Sequence, residues 1–206
     1  MGERVVNETV VIVAHPDDEI IWCGGLLLRH PDWRWTVLAL CRRGDPDREP
    51  KFRRVCARLG VRGMLSDLDD GAPLRPIDPA AEIGGRVLAH VGEGTWNLCL
   101  THGRNGEYGH ARHRQVSEAV VALVREGRLR CERLWTFAYE VQIPDGDCRP
   151  AVWADLTVPL TEVQLAEKRR IVREDYGYPP EGFEVRACIS PEAFLRQKNS
   201  EEELAP

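Results

Sequence analysis

Two periodicities alternate along the chain. Residues 9–14 (Thr-Val-Val-Ile-Val-Ala) form a short β-branched run bounded by polar residues, which predicts a strand buried on both faces. Residues 19–29 are apolar almost all round and predict a buried helix packed on a sheet. Residues 35–40 predict the second strand. Phe52, Val55, Cys56 and Leu59 then recur at helical spacing, with Pro50 near the start and Gly60 at the stop.

The alternation continues to the last third of the chain. Residues 61–65 predict a third strand, and Ala80, Ile83, Val87 and Val91 a helix. Residues 96–101 predict a fourth strand. Val116, Ala119, Val120, Leu123 and Val124 then mark an amphipathic helix ended by Gly127. Residues 134–139 predict a fifth strand, and the apolar–polar alternation over 152–158 an edge strand. Thr161 with Gln164 forms a capping box opening a helix to about Glu174. The tail from about Gln197, with Glu201 to Glu203, reads as a solvated, frayed end. Alternating strands and helices predict an α/β fold, a Rossmann-like, mostly parallel sheet with helices on both faces. With no repeat or linker, 206 residues read as one domain.

Composition removes several classes. Lys plus Arg number 28 against 33 Asp plus Glu, a net charge of −5 without any long basic run, which argues against nucleic-acid binding. The longest uncharged apolar stretch, Ile20 to Leu28, is about half of a membrane span, and no signal-peptide core opens the chain. A cytoplasmic location is expected. The 7 cysteines are odd in number and never spaced Cys-x-x-Cys, so they read as buried free thiols. The 6 tryptophans read as core. The oligomeric state stays open, a homo-oligomer included.

In such sheets ligands bind beyond the carboxyl ends of the strands. There the chain carries His15-Pro16-Asp17-Asp18-Glu19 after strand one and Arg42-Arg43-Gly44-Asp45 after strand two. After strand four comes His102-Gly103-Arg104-Asn105-Gly106-Glu107-Tyr108-Gly109-His110, followed by His113. Four of the 6 histidines fall in these loops, whereas His30 and His90 sit near helix ends and read as surface residues. A catalytic zinc takes about three protein ligands and keeps a position for water. His15 and Asp18, three apart at a strand-to-helix turn, can face one ion, and His113 can supply a third ligand. Asp17 can take a proton from metal-bound water; His110 can donate a proton or stabilise an oxyanion. Blander readings stand beside these: Asp17 or Asp18 as a helix cap, each His as a polar loop residue, and Asn105, Glu107 and Tyr108 as parts of a structural turn. Arg42, Arg43 and Arg104 are substrate anchors or surface charges, and Gly24 and Gly25 permit close helix–sheet packing.

The motif Ala14-His15-Pro16-Asp17-Asp18-Glu19, with Gly-Glu-Tyr-Gly-His-x-x-His at 106–113, resembles the LmbE-like (PIG-L) zinc-dependent N-deacetylases. The resemblance implies hydrolysis of the N-acetyl group of a GlcNAc-type amino sugar or its conjugate, a small-molecule substrate. It implies His15, Asp18 and His113 as metal ligands, Asp17 as general base, and His110 as the residue that stabilises the oxyanion and protonates the leaving amine. Zinc or ferrous iron suits this donor set. Arg42, Arg43, Asp45, His102, Arg104 and Asn105 are the candidates for holding the substrate. Members of that family commonly carry His-Pro-Asp-His in the second motif, where this chain has Ala111 and Arg112; an acidic residue there orients a neighbouring histidine, and Arg112 does not. A binding protein that kept the pocket, an amidase for another N-acyl conjugate, and an iron site for oxygen chemistry are the rival readings.

Overall fold

Alternation within the first strand sends its side chains into two separate cores, and this decides the architecture. The computed structural model describes residues 7–71, 74–141 and 146–197. In β1 (Glu8–Val13), Val11 and Val13 enter one apolar cluster while Val10 and Ile12 enter the other. The chain continues through α1 (Asp18–Arg29), β2 (Arg34–Cys41), α2 (Arg48–Leu59) and β3 (Arg62–Leu68). A π-helical turn (Pro79–Ile83) leads into α3 (Gly84–Val91), then β4 (Thr95–Trp96), β5 (Leu98–Thr101) and α4 (Ala111–Arg125). Short strands follow: β6 (Arg130–Cys131), β7 (Leu134–Phe137), β8 (Tyr139–Val141), β9 (Cys148–Pro150) and β10 (Leu156–Val158). The last elements are α5 (Glu162–Arg170), a second π-helical turn (Ile171–Asp175), α6 (Phe183–Arg186) and β11 (Glu192–Gln197).

The main sheet has the order β10-β11-β7-β5-β1-β2-β3. Neighbours from β7 to β3 pair in parallel, while β11 runs antiparallel to both β7 and β10. Trp22 and Leu26 of α1 and Phe52 and Val55 of α2 pack on the Val11 face; Val87 of α3 and Val116 and Val120 of α4 pack on the other. Helices therefore cover both faces, as a largely parallel sheet requires. From β1 the chain winds one way to β2 and β3, then returns to β5 on the opposite side. The crevice at this switch lies above β1 and β5, whose following loops carry both histidine motifs.

Several expectations shift. The third strand extends to Leu68, which places Asp69 and Asp70 at its carboxyl end. The fourth breaks at Asn97, whose side-chain oxygen accepts from the Glu8 amide. The fifth breaks at Ala138, whose amide turns to the carbonyl of Ala193. The edge strand shrinks to β10, because residues 152–153 form a turn and Val152 is 89% exposed. The capping box of α5 is present, but the helix passes into a π-turn at Ile171. Neither α6 nor β11 was expected: Glu192, Arg196 and Gln197 interrupt the apolar pattern of a strand that fills the sheet between β7 and β10. Gln197 ends that strand rather than a frayed tail; residues 198–206 lie outside the described ones. Six of the seven cysteines are buried and Cys131 partly so, all as free thiols.

Helix α1 is kinked at Cys23 (φ −143°, ψ 18°). A kink frees backbone groups, and here three of them have buried side-chain partners. Glu192 accepts from the amides of Gly25 at 2.7 Å and Leu26 at 2.8 Å, and the Tyr139 hydroxyl donates to the Trp22 carbonyl at 2.9 Å. The Glu192 carboxylate is neutralised by Lys168 Nζ at 2.6 Å, both side chains fully buried. Close approach at Gly25 is to Leu160 beside α5, where a Cβ would meet Cδ2 at 2.2 Å, and not to the sheet as expected. Removing one member of a buried pair strands the other charge. Lys168→Met is thus expected to lower unfolding stability by about 3–5 kcal/mol, read by urea denaturation. A loss under about 1 kcal/mol would show that the pair carries little of this junction.

Candidate functional site

Three loops bring their side chains together above the sheet. Beyond β1, Asp17 occupies the N-cap position of α1 without a capping hydrogen bond from its side chain. Its φ of 115° is one of three positive values among the described non-glycine residues; Arg42 (73°) and Glu107 (56°) are the others. All three stand at this site, which is where strained backbone tends to be retained. Asp18 Oδ2 accepts from the His15 amide at 2.8 Å and Oδ1 from Trp22 Nε1 at 2.9 Å, so neither aspartate serves as a conventional cap.

Beyond β5 the loop is shaped by two glycines and a buried acid. A Cβ at Gly103 would meet the Phe137 carbonyl at 2.3 Å, and Gly106 adopts φ 68°. Glu107, 1% exposed, accepts from the Gly103 amide at 2.7 Å through Oε1. Its Oε2 lies 2.9 Å from His102 Nδ1 and 2.6 Å from His113 Nδ1. The Ala14 amide donates to His102 Nε2 at 2.9 Å, which assigns the proton to Nδ1 and ties the β1 and β5 loops together. The His102 ring stacks on His113 with centroids 3.8 Å apart. Burial opposes ionisation of Glu107, yet His102 and His113 hold its carboxyl down at about 2.

His15, Asp18 and His113 converge. His15 Nδ1 lies 3.3 Å from Asp18 Oδ2, His113 Nε2 3.4 Å from the same oxygen, and the two nitrogens are 3.2 Å apart. Donors about 2.0–2.1 Å from one tetrahedral ion are separated by about 3.3–3.4 Å. The far nitrogen of each imidazole meets a carboxylate: His113 Nδ1 meets Glu107, and His15 Nε2 meets Asp70 Oδ1 at 3.2 Å. That arrangement orients the near nitrogen's lone pair toward an ion. The donors and their outer partners therefore fit a divalent cation. Three other triads, His15–His110–His113, His15–Cys41–Asp70 and Asp18–His102–His113, also have their ligand atoms within 4.8 Å of one another, but His102 is engaged by Ala14 and Glu107.

Asp17 and His110 stand beside this set, and both line a cleft of about 180 Å³. Burial, then the charge of Asp18, pushes the Asp17 carboxyl up to about 7. Its Oδ2 accepts from Arg48 Nη1 at 2.8 Å and from the Tyr178 hydroxyl. His110 is pulled down to about 4 by burial and by neighbouring His113 and His15, and its buried Nδ1 has no partner. Arg112 is fully buried and turns away, donating to the Asp69 carbonyl at 2.8 Å and Gln115 at 2.7 Å. It braces the loop that presents Asp70.

Of the expected substrate contacts, only Arg42 lines the cleft, donating to Asp70 Oδ2 at 2.7 Å. Arg43 is exposed outside it. Asp45 accepts from the amides of Asp47 and Arg48 and opens α2. His102 is fully buried beneath His15, Asp18 and His113. Arg104 lines a separate cavity with Arg114, Arg125 and Trp153, and Asn105 donates to the Tyr139 carbonyl at 2.7 Å. Asp70, Arg48, Tyr178, Phe183 and Glu184 line the cleft without having been singled out from sequence. Asp70 follows β3, which runs three residues past the end its sequence pattern predicts; Arg48 looks like any helix-surface cation, and nothing near Tyr178 marks it.

The family model for GlcNAc-PI de-N-acetylases (PIG-L) matches residues 10–124. Among solved structures, the N,N'-diacetylchitobiose deacetylase of Pyrococcus horikoshii superposes with a TM-score of 0.71 at 13% identity, over 97% of this chain and 87% of that one. The zinc-inhibited form of the teicoplanin deacetylase Orf2 gives 0.63 at 13% identity, over 93% and 99%. The 4-carboxy-2-hydroxymuconate hydratase of Pseudomonas putida KT2440 gives 0.58 at 16% identity, over 87% and 82%. At these identities the likeness is one of fold, and the fold hosts more than one chemistry. No helix among the described residues is long and apolar enough to cross a membrane.

Glu107 should matter to cation affinity without touching the ion. Glu107→Gln is expected to weaken cobalt or zinc binding about 10–100-fold in competition with a chromophoric chelator, while the protein remains folded. Unchanged affinity would mean that Glu107 does no more than shape its loop.

Proposed function

The chain belongs to the PIG-L family of GlcNAc-PI de-N-acetylases, and on that premise we propose that it is a metal-dependent hydrolase removing the N-acetyl group from an amino sugar or its conjugate. The observation that carries this is the meeting of His15, Asp18 and His113 at 3.2–3.4 Å, with the Asp17 carboxylate beside them in the same cleft. We assign the three as ligands of a divalent cation, zinc or ferrous iron. When bound, such an ion polarises an amide carbonyl and makes a neighbouring water more acidic.

The chain's own residues supply the proton movements and the orientation. Asp17 accepts the proton of the attacking water. Burial raises its basicity, and Arg48 with Tyr178 fixes one carboxylate oxygen, leaving Oδ1 without a partner among the described residues. His110, kept neutral, offers a ring N–H to the oxygen on which negative charge grows. The leaving amine needs one proton, and Asp17 has taken up one from the water. Asp17 returns that proton to the amine nitrogen, directly or through His110, as the C–N bond breaks, so oxyanion stabilisation is the first task of neutral His110. Arg42, held by Asp70, is positioned for sugar hydroxyls.

The test is free-amine release from N-acetylated amino sugars with and without a chelator. Release should stop with chelator and return on adding zinc or ferrous iron; release indifferent to the chelator would remove the metal from the mechanism. Asp17→Asn should lower kcat by about 10²–10⁴-fold while the bound metal stays. A variant of unchanged turnover would remove Asp17 from the chemistry, and a protein that only binds sugar would show no turnover to lose.

A further inference from the structure

Positive charge on the cleft walls is already committed. Arg42 donates Nη2 to Asp70 Oδ2 at 2.7 Å. Arg48 donates Nη1 to Asp17 Oδ2 at 2.8 Å and lays its guanidinium 4.8 Å from the centre of the Tyr178 ring. Glu184, on α6, lines the same cleft, and its carboxylate has no hydrogen-bond or ion-pair partner among the described residues. Four carboxylates, those of Asp17, Asp18, Asp70 and Glu184, thus face two guanidiniums that are both paired. A dication held by Asp18 and the two histidines brings these walls to about neutrality.

The remaining wall is aromatic. Tyr108 is 41% exposed, stands edge-on to Phe183 with centroids 4.8 Å apart, and faces Trp22 at 6.2 Å. Such a surface suits the C–H face of a sugar or an apolar aglycone. A phosphate or carboxylate group is normally met by a forked guanidinium, a lysine or free amides at a helix start. Here an anion would have to displace Asp70 or Asp17 from its arginine while approaching Glu184.

We infer that the substrate is an uncharged glycoside of an N-acetylated amino sugar, seated against Tyr108 and Phe183, and that Glu184 disfavours conjugates carrying a phosphodiester. The inference rests on the deacetylase reading above and narrows it. Charge selectivity of this kind comes as much from the repulsion of the wrong ligand as from the attraction of the right one.

The experiment compares an alkyl N-acetylglucosaminide with the same sugar joined to the same alkyl group through a phosphodiester. Wild-type kcat/KM should favour the neutral compound by about tenfold or more. Glu184→Lys should bring the ratio toward one by raising the phosphodiester value, with Glu184→Gln between. Calorimetric Kd values on the Asp17→Asn protein read the same preference without turnover, and thermal melting confirms that each variant is folded. Equal or better handling of the phosphodiester by the wild type overturns the inference. So does a ratio that neither Glu184 substitution moves, or failure to bind either compound. Absent turnover of both compounds with the Kd preference intact would defeat the deacetylase reading and leave the charge preference standing.

Discussion

A carboxylate with almost no access to water, Glu107, holds two stacked imidazoles by their Nδ1 atoms. A buried charge must be paired and fully hydrogen-bonded, and this demand propagates outward. Oε1 takes the Gly103 amide, so the loop must fold back on itself, and Glu107 itself adopts a positive φ to complete the turn. Fixing His113 at Nδ1 aims its Nε2 at Asp18 and His15. Fixing His102 lets its Nε2 receive the Ala14 amide, which locks the first motif onto the second. The geometry of the three proposed ligands is in this sense a consequence of one buried acid.

The first motif needs its own support, because Asp17 and Asp18 begin a helix that does not run straight. Glu192 of β11 receives the freed amides of Gly25 and Leu26, Tyr139 serves the Trp22 carbonyl, and Lys168 of α5 neutralises the acid. The antiparallel edge of the sheet therefore closes the fold and also anchors the half of α1 that follows the site. The third support is Arg112. Its guanidinium grips the carbonyl of Asp69, next to Asp70, and Asp70 in turn meets His15 and Arg42. A residue that departs from the usual family motif has thus become a brace between α4 and the loop after β3.

What could be read from sequence follows from which forces act locally. The parallel strands and their helices were legible because period-two and period-3.6 burial leaves a mark on consecutive residues, as in Val10 to Val13 and in Val116 to Leu123. His15, Asp17, Asp18, His110 and His113 were legible because each motif sits within a few residues at a strand end. β11 was hidden, since Glu192 and Arg196 make it look polar and the partners that make burial of Glu192 tolerable, Lys168 and the Gly25 and Leu26 amides, are distant in sequence. Asp70, Arg48, Tyr178 and Glu184 were hidden for the same reason: each reaches the cleft from a different element, and none has a neighbour in sequence that announces it. Asp45, Arg43, Arg104 and Asn105 stand near the right strand ends but point elsewhere, toward a helix start, solvent, a second cavity and a backbone carbonyl.

His15 from the loop after β1, Asp18 at the start of α1 and His113 in the first turn of α4 are proposed to form one cation site. The most direct test is titration of the metal-free protein with Co²⁺, followed by visible absorption. About one equivalent should bind, with the spectrum of a low-symmetry four- or five-coordinate ion, and that spectrum should be lost in both His15→Ala and His113→Ala. A folded protein that binds no cobalt, or binds it equally well after both substitutions, would contradict this assignment.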